Sequence, residues 1–208
     1  YTCYDGFLCP VIQNERTLKC NNDCYLPGQY SCTTGNGQLQ PRAAQTGPFQ
    51  VTVVSSPPIS LIGQDVNACN GHFFLGTTAG SCTGGLGPDC PFGGCATYTN
   101  TTVFLPGNSM DTMVPGGQQY FVGPDGALGY TAPHSAAIPP GSSFDIEAFQ
   151  GGLFVPPDSN GWLACPVTGS SQLQIFANLN GVVFPANCVS ASLGVNAVPS
   201  GTVGAYEY

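Results

Sequence analysis

Five of the chain's eleven cysteines (Cys3, Cys9, Cys20, Cys24 and Cys32) crowd into its first 32 residues, and the next is Cys69. A segment that short cannot bury enough apolar surface to fold unaided, so cross-links must supply much of its stability. Thiols used at this density point to an oxidising compartment, and there disulfides outrank metal ligation for Cys20 and Cys24. Five is odd, so one thiol either crosses to the rest of the chain or pairs upstream of Tyr1. Cys165 and Cys188 are the only cysteines beyond Cys95 and are expected to pair. Cys69, Cys82, Cys90 and Cys95 form a local set whose connectivity is open.

The run Gly35 to Arg42 is rich in Gly, Gln and Pro and reads as a connection. The expected organisation is therefore a cysteine-rich module at 1–40, a linker at 41–48 and a larger unit at 49–208. In the larger unit, Phe49, Val51 and Val53 alternate with Gln50 and Thr52, the period of a half-buried strand. His72–Leu75, Thr101–Leu105, Gln119–Val122, Phe144–Phe149 and Gln172–Phe176 are further short strands punctuated by Gly or Pro. No window keeps a helical apolar stripe for three turns. Tyr120 to Leu128 is echoed by Leu153 to Asp158 with Gly161-Trp162-Leu163, and each copy reads as a hairpin around a Pro-Asp turn. These patterns predict an all-β fold, a disulfide-stabilised β-sandwich or barrel, with a β-trefoil as the alternative.

Charge narrows the partners. Arg16, Lys19 and Arg42 are the only basic residues in a chain of formal charge −8. Such a surface repels phosphate backbones and anionic bilayers, so neither nucleic acid nor membrane is an expected partner. No apolar run reaches membrane-spanning length. The start at Tyr1, without Met or an apolar leader, reads as a mature secreted form, and Asn100-Thr101-Thr102 is a glycosylation sequon that fits this reading.

Cys3-Tyr4-Asp5-Gly6-Phe7-Leu8-Cys9-Pro10, Leu18-Lys19-Cys20 and Cys24-Tyr25-Leu26-Pro27-Gly28-Gln29-Tyr30-Ser31-Cys32 together resemble the small carbohydrate-binding module of fungal endo-β-1,3-glucanases. The match covers residues 1 to about 40, and a Cys-Tyr-x-Pro segment common in that family is missing here. A second resemblance covers most of 49–208. It is carried by Val114 to Val122, Gly126 to Thr131, His134-Ser135, Gly161 to Pro166, Gln174 to Ala177 and the aromatic C-terminus. These segments look like the PhiA-type cell wall proteins of filamentous fungi, some described as IgE-binding. That resemblance implies a secreted, wall-associated, non-enzymatic protein and transfers no catalytic residues.

The candidate site follows from the module. Aromatic faces stack on the apolar faces of sugar rings, and amides bond their hydroxyls. Tyr25 and Tyr30, with Tyr4, Phe7 and Gln29, are the expected contacts for a wall polysaccharide, β-glucan favoured; the competing use of these rings is a mini-core beside the disulfides. Asp145 and Glu147 share one face of a predicted strand, with Cα atoms about 6.6 Å apart. That spacing suits a glycosidase pair, while the plainer reading is a solvated face opposite buried Phe144 and Ile146. His72 and His134 lack a second ligand at metal-binding spacing, and no nucleophile elbow or phosphate-binding loop is present. No cofactor is expected.

Overall fold

The computed structural model describes every residue except 5, 13–14, 27–28, 34–36, 57–60, 77–100, 158 and 203; the side chains at 2, 4, 15 and 16 are also outside the description. Among the described residues there is no helix. Asn100 lies outside them.

The first forty residues form four short antiparallel hairpins. These are β1 (Thr2–Tyr4) with β2 (Phe7–Cys9), β3 (Val11–Ile12) with β4 (Glu15–Arg16), β5 (Leu18–Cys20) with β6 (Asp23–Tyr25), and β7 (Tyr30–Cys32) with β8 (Leu39–Pro41). Cys9–Cys24 ties the first hairpin to the third, and Cys20–Cys32 ties the third to the fourth. Two- and three-residue ladders are too short to hold by themselves, so the two bridges set how the hairpins stack. Cys3 is the odd cysteine, free and exposed.

Residues 42–50 then run along the second unit by backbone pairing. The Arg42 N–H donates to Gln29 O in the module, and its guanidinium donates to Gln150 O. Gln150 N donates to Ala43 O and Gln45 N to Ala148 O.

The remainder is an open β-sandwich. Its strands are β9 (Phe49–Ser55), β10 (Asn67–Cys69), β11 (His72–Leu75), β12 (Phe104–Leu105), β13 (Ser109–Met110), β14 (Tyr120–Val122), β15 (Leu128–Tyr130), β16 (Glu147–Ala148), β17 (Leu153–Val155), β18 (Ser159–Pro166), β19 (Leu173–Leu179) and β20 (Val189–Ala197). Among the described residues no continuous ladder closes the path β13-β12-β9-β20-β18-β19-β11-β15-β14 into a barrel; its ends meet only at the isolated Ser109/Gln119 bridge and its flanking hydrogen bonds. β20 makes the corner. Val189–Ala191 pair with β18; after a register shift at Ser192/Leu193 the strand pairs with β9 and β17. A strand that changes sheets at a bulge joins the two layers of a sandwich in this way.

Between the layers lies an aromatic core. Phe104 stacks on Phe49 and Phe73 at centroid distances of 5.6 and 5.3 Å and meets Tyr120 edge-on at 5.3 Å. Trp162 stacks on Phe154 at 5.4 Å, and its indole N–H donates to Phe154 O at 2.7 Å. A buried ring thereby loses no hydrogen bond on leaving water.

Three sequence expectations change. The second hairpin copy is not a hairpin: β17 pairs with β16 and β20, whereas β18 pairs with β19 and β20. Pro156 and Pro157 carry no amide hydrogen to continue a ladder, and the chain crosses between sheets there. The first copy does form, with Val122 opposite Leu128. The expected strand at 101–105 shrinks to Phe104–Leu105 because its amides bond side chains: Thr102 N donates to Asn67 Oδ1 and Val103 N to Tyr208 Oη. The expected strand at 144–149 keeps only Glu147–Ala148 and a bridge at Phe149, since Ile146 N turns back to Phe144 O. Phe144 is consequently exposed rather than buried.

Cys165 and Cys188 are bridged with a Cα–Cα distance of 4.1 Å, pinning the 180–188 loop to β18. Replacing both by serine is expected to lower stability by about 3 kcal/mol from the entropy of the released loop. The denaturant midpoint of the double variant, with an unchanged slope, is the check.

Candidate functional site

Strand alternation and the two module disulfides together sort the candidate side chains onto two faces. In β5, Leu18 and Cys20 share one face; Tyr25 and Asp23 oppose them on β6. In β7, Tyr30 and Cys32 share a face. The Cys20–Cys32 bridge links these two faces. Leu18 and Tyr25 are cross-strand neighbours, Tyr25 is half-buried, and Tyr30 keeps 39% of its surface in water.

The other face carries the Cys9–Cys24 bridge. Phe7 and Cys9 alternate onto it from β2, and Lys19 with Cys24 from β5 and β6. The Lys19 ammonium sits 4.9 Å over the Phe7 ring. One face of Phe7 is thus occupied by a cation–π contact, which makes it a support rather than an open platform. Tyr4 pairs with Phe7 across β1 and β2, and its side chain is outside the description.

Gln29 belongs to the tyrosine segment. Gln29 N and Tyr30 N both donate to Leu26 O, closing a tight turn between Tyr25 and Tyr30. Gln29 O accepts from Arg42 N, so the turn is anchored at its far side too. The sequence reading missed Leu18. It is 37% exposed opposite Tyr25, and its only signal was an apolar residue beside Lys19 in a segment too small to bury it.

The carboxylate pair does not assemble as a strand face. Asp145 sits in the turn that interrupts the strand, its Oδ2 accepting from Ser143 Oγ at 3.0 Å, while Glu147 lies on β16 opposite Val155. Both are exposed. His72 is exposed at the start of β11, and His134 is exposed at φ 59°.

The titratable groups pushed out of range lie elsewhere. Burial raises Asp111, opposed by a hydrogen bond from Gly204 N. Burial also pushes Tyr130 up to about 12, against a hydrogen-bonding contribution from the Gly71 backbone. Tyr120 and Tyr208 are raised by burial as well. These groups line the core and the seat of the C-terminal residues, apart from the module.

Residues 1–39 match the family described as carbohydrate binding. An uncharacterized secreted protein of Arthroderma benhamiae is 39% identical over 138 residues, covering 60% of this chain. The aligned region spans 65% of that relative's own length. No solved structure matches the chain.

Proposed function

We propose that this chain is a secreted fungal cell-wall protein that holds a neutral wall polysaccharide, β-glucan first, and does no chemistry on it. The observation that most supports this reading is the carbohydrate-binding match over residues 1–39, a segment in which Tyr25 and Tyr30 are both partly exposed. Half-exposed phenol rings supply stacking surface, and Gln29, Asn22 and Asp23 around them supply hydrogen-bonding groups for hydroxyls. The secreted relative supports an extracellular setting. The disulfides point the same way, because such bridges persist in oxidising compartments.

In this reading residues 1–40 are the binding module, 41–48 join it to 49–208, and the second unit is a PhiA-type sandwich. That unit carries no lysine or arginine beyond Arg42, hence no tryptic site. Asn100 carries a glycan in the secreted protein.

The purified chain is expected to leave solution with one of insoluble β-glucan, chitin or cellulose. Changing Tyr25 and Tyr30 together to alanine is expected to weaken that binding by about tenfold or more, the size of a loss of about 1.4 kcal/mol. Release of reducing ends by the intact chain would overturn the non-catalytic reading. Retention by no polymer would overturn the polysaccharide reading and leave a protein partner as the explanation.

A further inference from the structure

The outer face of β14 carries a second arrangement suited to a sugar. On β14, Tyr120 and Val122 point into the core cluster, which leaves Phe121 on the outer face. Val122 and Ser143 exchange both backbone hydrogen bonds at 2.9 Å, so Phe144 is the outer-face neighbour of Phe121. Their rings meet edge-on at 6.5 Å. Phe121 in turn lies over Gly129, where a Cβ would stand 3.3 Å from its ring, and His72 flanks Gly129 on the next strand. Phe144, Phe121, Gly129 and His72 thus form one row across β14, β15, β11 and the segment bridged at Ser143, about 14 Å at ordinary interstrand spacing.

Within this row Phe144 is 38% exposed and Phe121 is its buried support. The turn that broke the expected strand is centred on Asp145, the residue next in the chain to Phe144. Ser143 Oγ donates to Asp145 Oδ2, and the Ser143 hydroxyl also accepts from Asp145 N at 3.0 Å, so the carboxylate is oriented before any ligand arrives. Oδ1 remains to accept from a hydroxyl. An open aromatic face next to a pre-oriented acceptor is the chemistry that recognises a pyranose: stacking for its C–H face, carboxylate for its hydroxyls.

Charge selects among occupants. No lysine or arginine lies anywhere beyond Arg42, while Asp125 and Glu147 are exposed. Anionic glycans, acidic peptides and lipid phosphates are repelled, and a neutral polyhydroxyl chain is not.

We propose that Phe144 and Asp145, supported by Phe121 and Ser143, form a second saccharide subsite on the sandwich. It uses as a hydrogen-bond acceptor the carboxylate that the sequence offers as half of a catalytic pair. The choice of ligand rests on the polysaccharide reading above; the location of the site does not. Two sites on one chain raise retention on a polymer by effective concentration, so each matters more together than alone.

Binding isotherms of the whole chain on insoluble β-glucan, chitin and cellulose test this, for the parent and for Phe144→Ala, Phe144→Trp, Asp145→Ala and Tyr25→Ala/Tyr30→Ala. Phe144→Ala and Asp145→Ala are expected to weaken retention severalfold at an unchanged thermal midpoint, and Phe144→Trp, which keeps a flat ring, to restore it. Tyr25→Ala/Tyr30→Ala is expected to leave residual binding that Phe144→Ala then removes. Parent-like isotherms for both Phe144→Ala and Asp145→Ala overturn the subsite and leave the module reading standing. Loss of all binding on changing the two tyrosines, with Phe144 intact, does the same. Binding that ignores the tyrosines and needs Phe144 supports the subsite and overturns the module reading; no binding by the parent overturns both.

Discussion

Phe104→Ala is expected to cost about 3–5 kcal/mol, a large part of the roughly 5–15 kcal/mol that holds a typical domain folded. Phe104 is fully buried and its ring meets four others: Phe49, Phe73, Tyr120 and Phe154, all within 5.6 Å between centroids. Removing it deletes those pairs and leaves a cavity between two sheets that cannot both move inward. Its own strand gives little compensation. β12 is two residues long and pairs with Phe49 and Met110, so the ring, more than the ladder, seats this segment. For a unit of this size the loss corresponds to a fall of roughly 10 °C in thermal midpoint. Val183→Ala is the control: Val183 is 95% exposed, and its change is expected to stay within about 0.5 kcal/mol. A Phe104→Ala midpoint within a degree or two of the parent would mean that the aromatic core does not organise the sandwich.

What the chain's residues reveal unaided depends on whether a strand's partners lie in its own pattern. β9 was legible because Phe49, Val51 and Val53 face the core while Gln50 and Thr52 do not, and its burial alternates accordingly. The β14–β15 turn was legible because Gly126, at φ 84°, stands where a Cβ would strike Ala177 O. β20, the strand that joins the layers, was not. Val189-Ser-Ala-Ser-Leu-Gly-Val-Asn-Ala197 is mostly small and polar, poor in the branched residues that mark strands. Its composition answers to its neighbours: Gly194 has no side chain because Val54 occupies that space, at 2.3 Å from where a Cβ would be. Long-range packing of that kind leaves no local period to read.

The module shows the same division. Its aromatics and its cysteines were evident from residue types. Which ring faces which was not, because it follows from pairing Cys9 with Cys24 and Cys20 with Cys32. Spacing alone permits several connectivities, and each would group the rings differently. Phe7 and Tyr25 look equivalent in sequence; only the bridges separate them, one beneath Lys19 and the other beside Leu18. Likewise Asp145 and Glu147 alternate in sequence, and a hydrogen bond from Ile146 N back to Phe144 O, invisible to alternation, parts them.

Alkaline pH is expected to unfold the sandwich through its buried phenols. Tyr120, Tyr130 and Tyr208 all have folded-state pKa values raised by burial, Tyr130 to about 12, while the unfolded chain ionises them near 10. A group whose folded pKa is raised contributes stability that is complete below its unfolded value and is lost as pH climbs through the folded one. The window therefore opens near pH 10 and extends past 12, and Tyr130 alone accounts for about 3 kcal/mol across it. Tyrosinate absorbance followed with the near-ultraviolet ellipticity of Trp162 is expected to show the last three phenols ionising together with loss of tertiary structure. Complete, reversible ionisation of all nine tyrosines before that loss would contradict it. Two single-atom changes sharpen the result. Tyr208 Oη accepts from Val103 N at 2.9 Å, and Tyr208 exchanges backbone hydrogen bonds with the Gln118 amide. Tyr208→Phe strands a buried amide and is expected to cost about 1–3 kcal/mol. The Tyr130 hydroxyl is buried beside the Gly71 backbone without a well-formed hydrogen bond to it. Tyr130→Phe is accordingly expected to hold or raise the thermal midpoint at neutral pH and to shift the alkaline transition upward, since one late-ionising phenol is gone. Equal destabilisation by the two variants would mean that burial alone, and not the Val103 hydrogen bond, decides what each hydroxyl contributes.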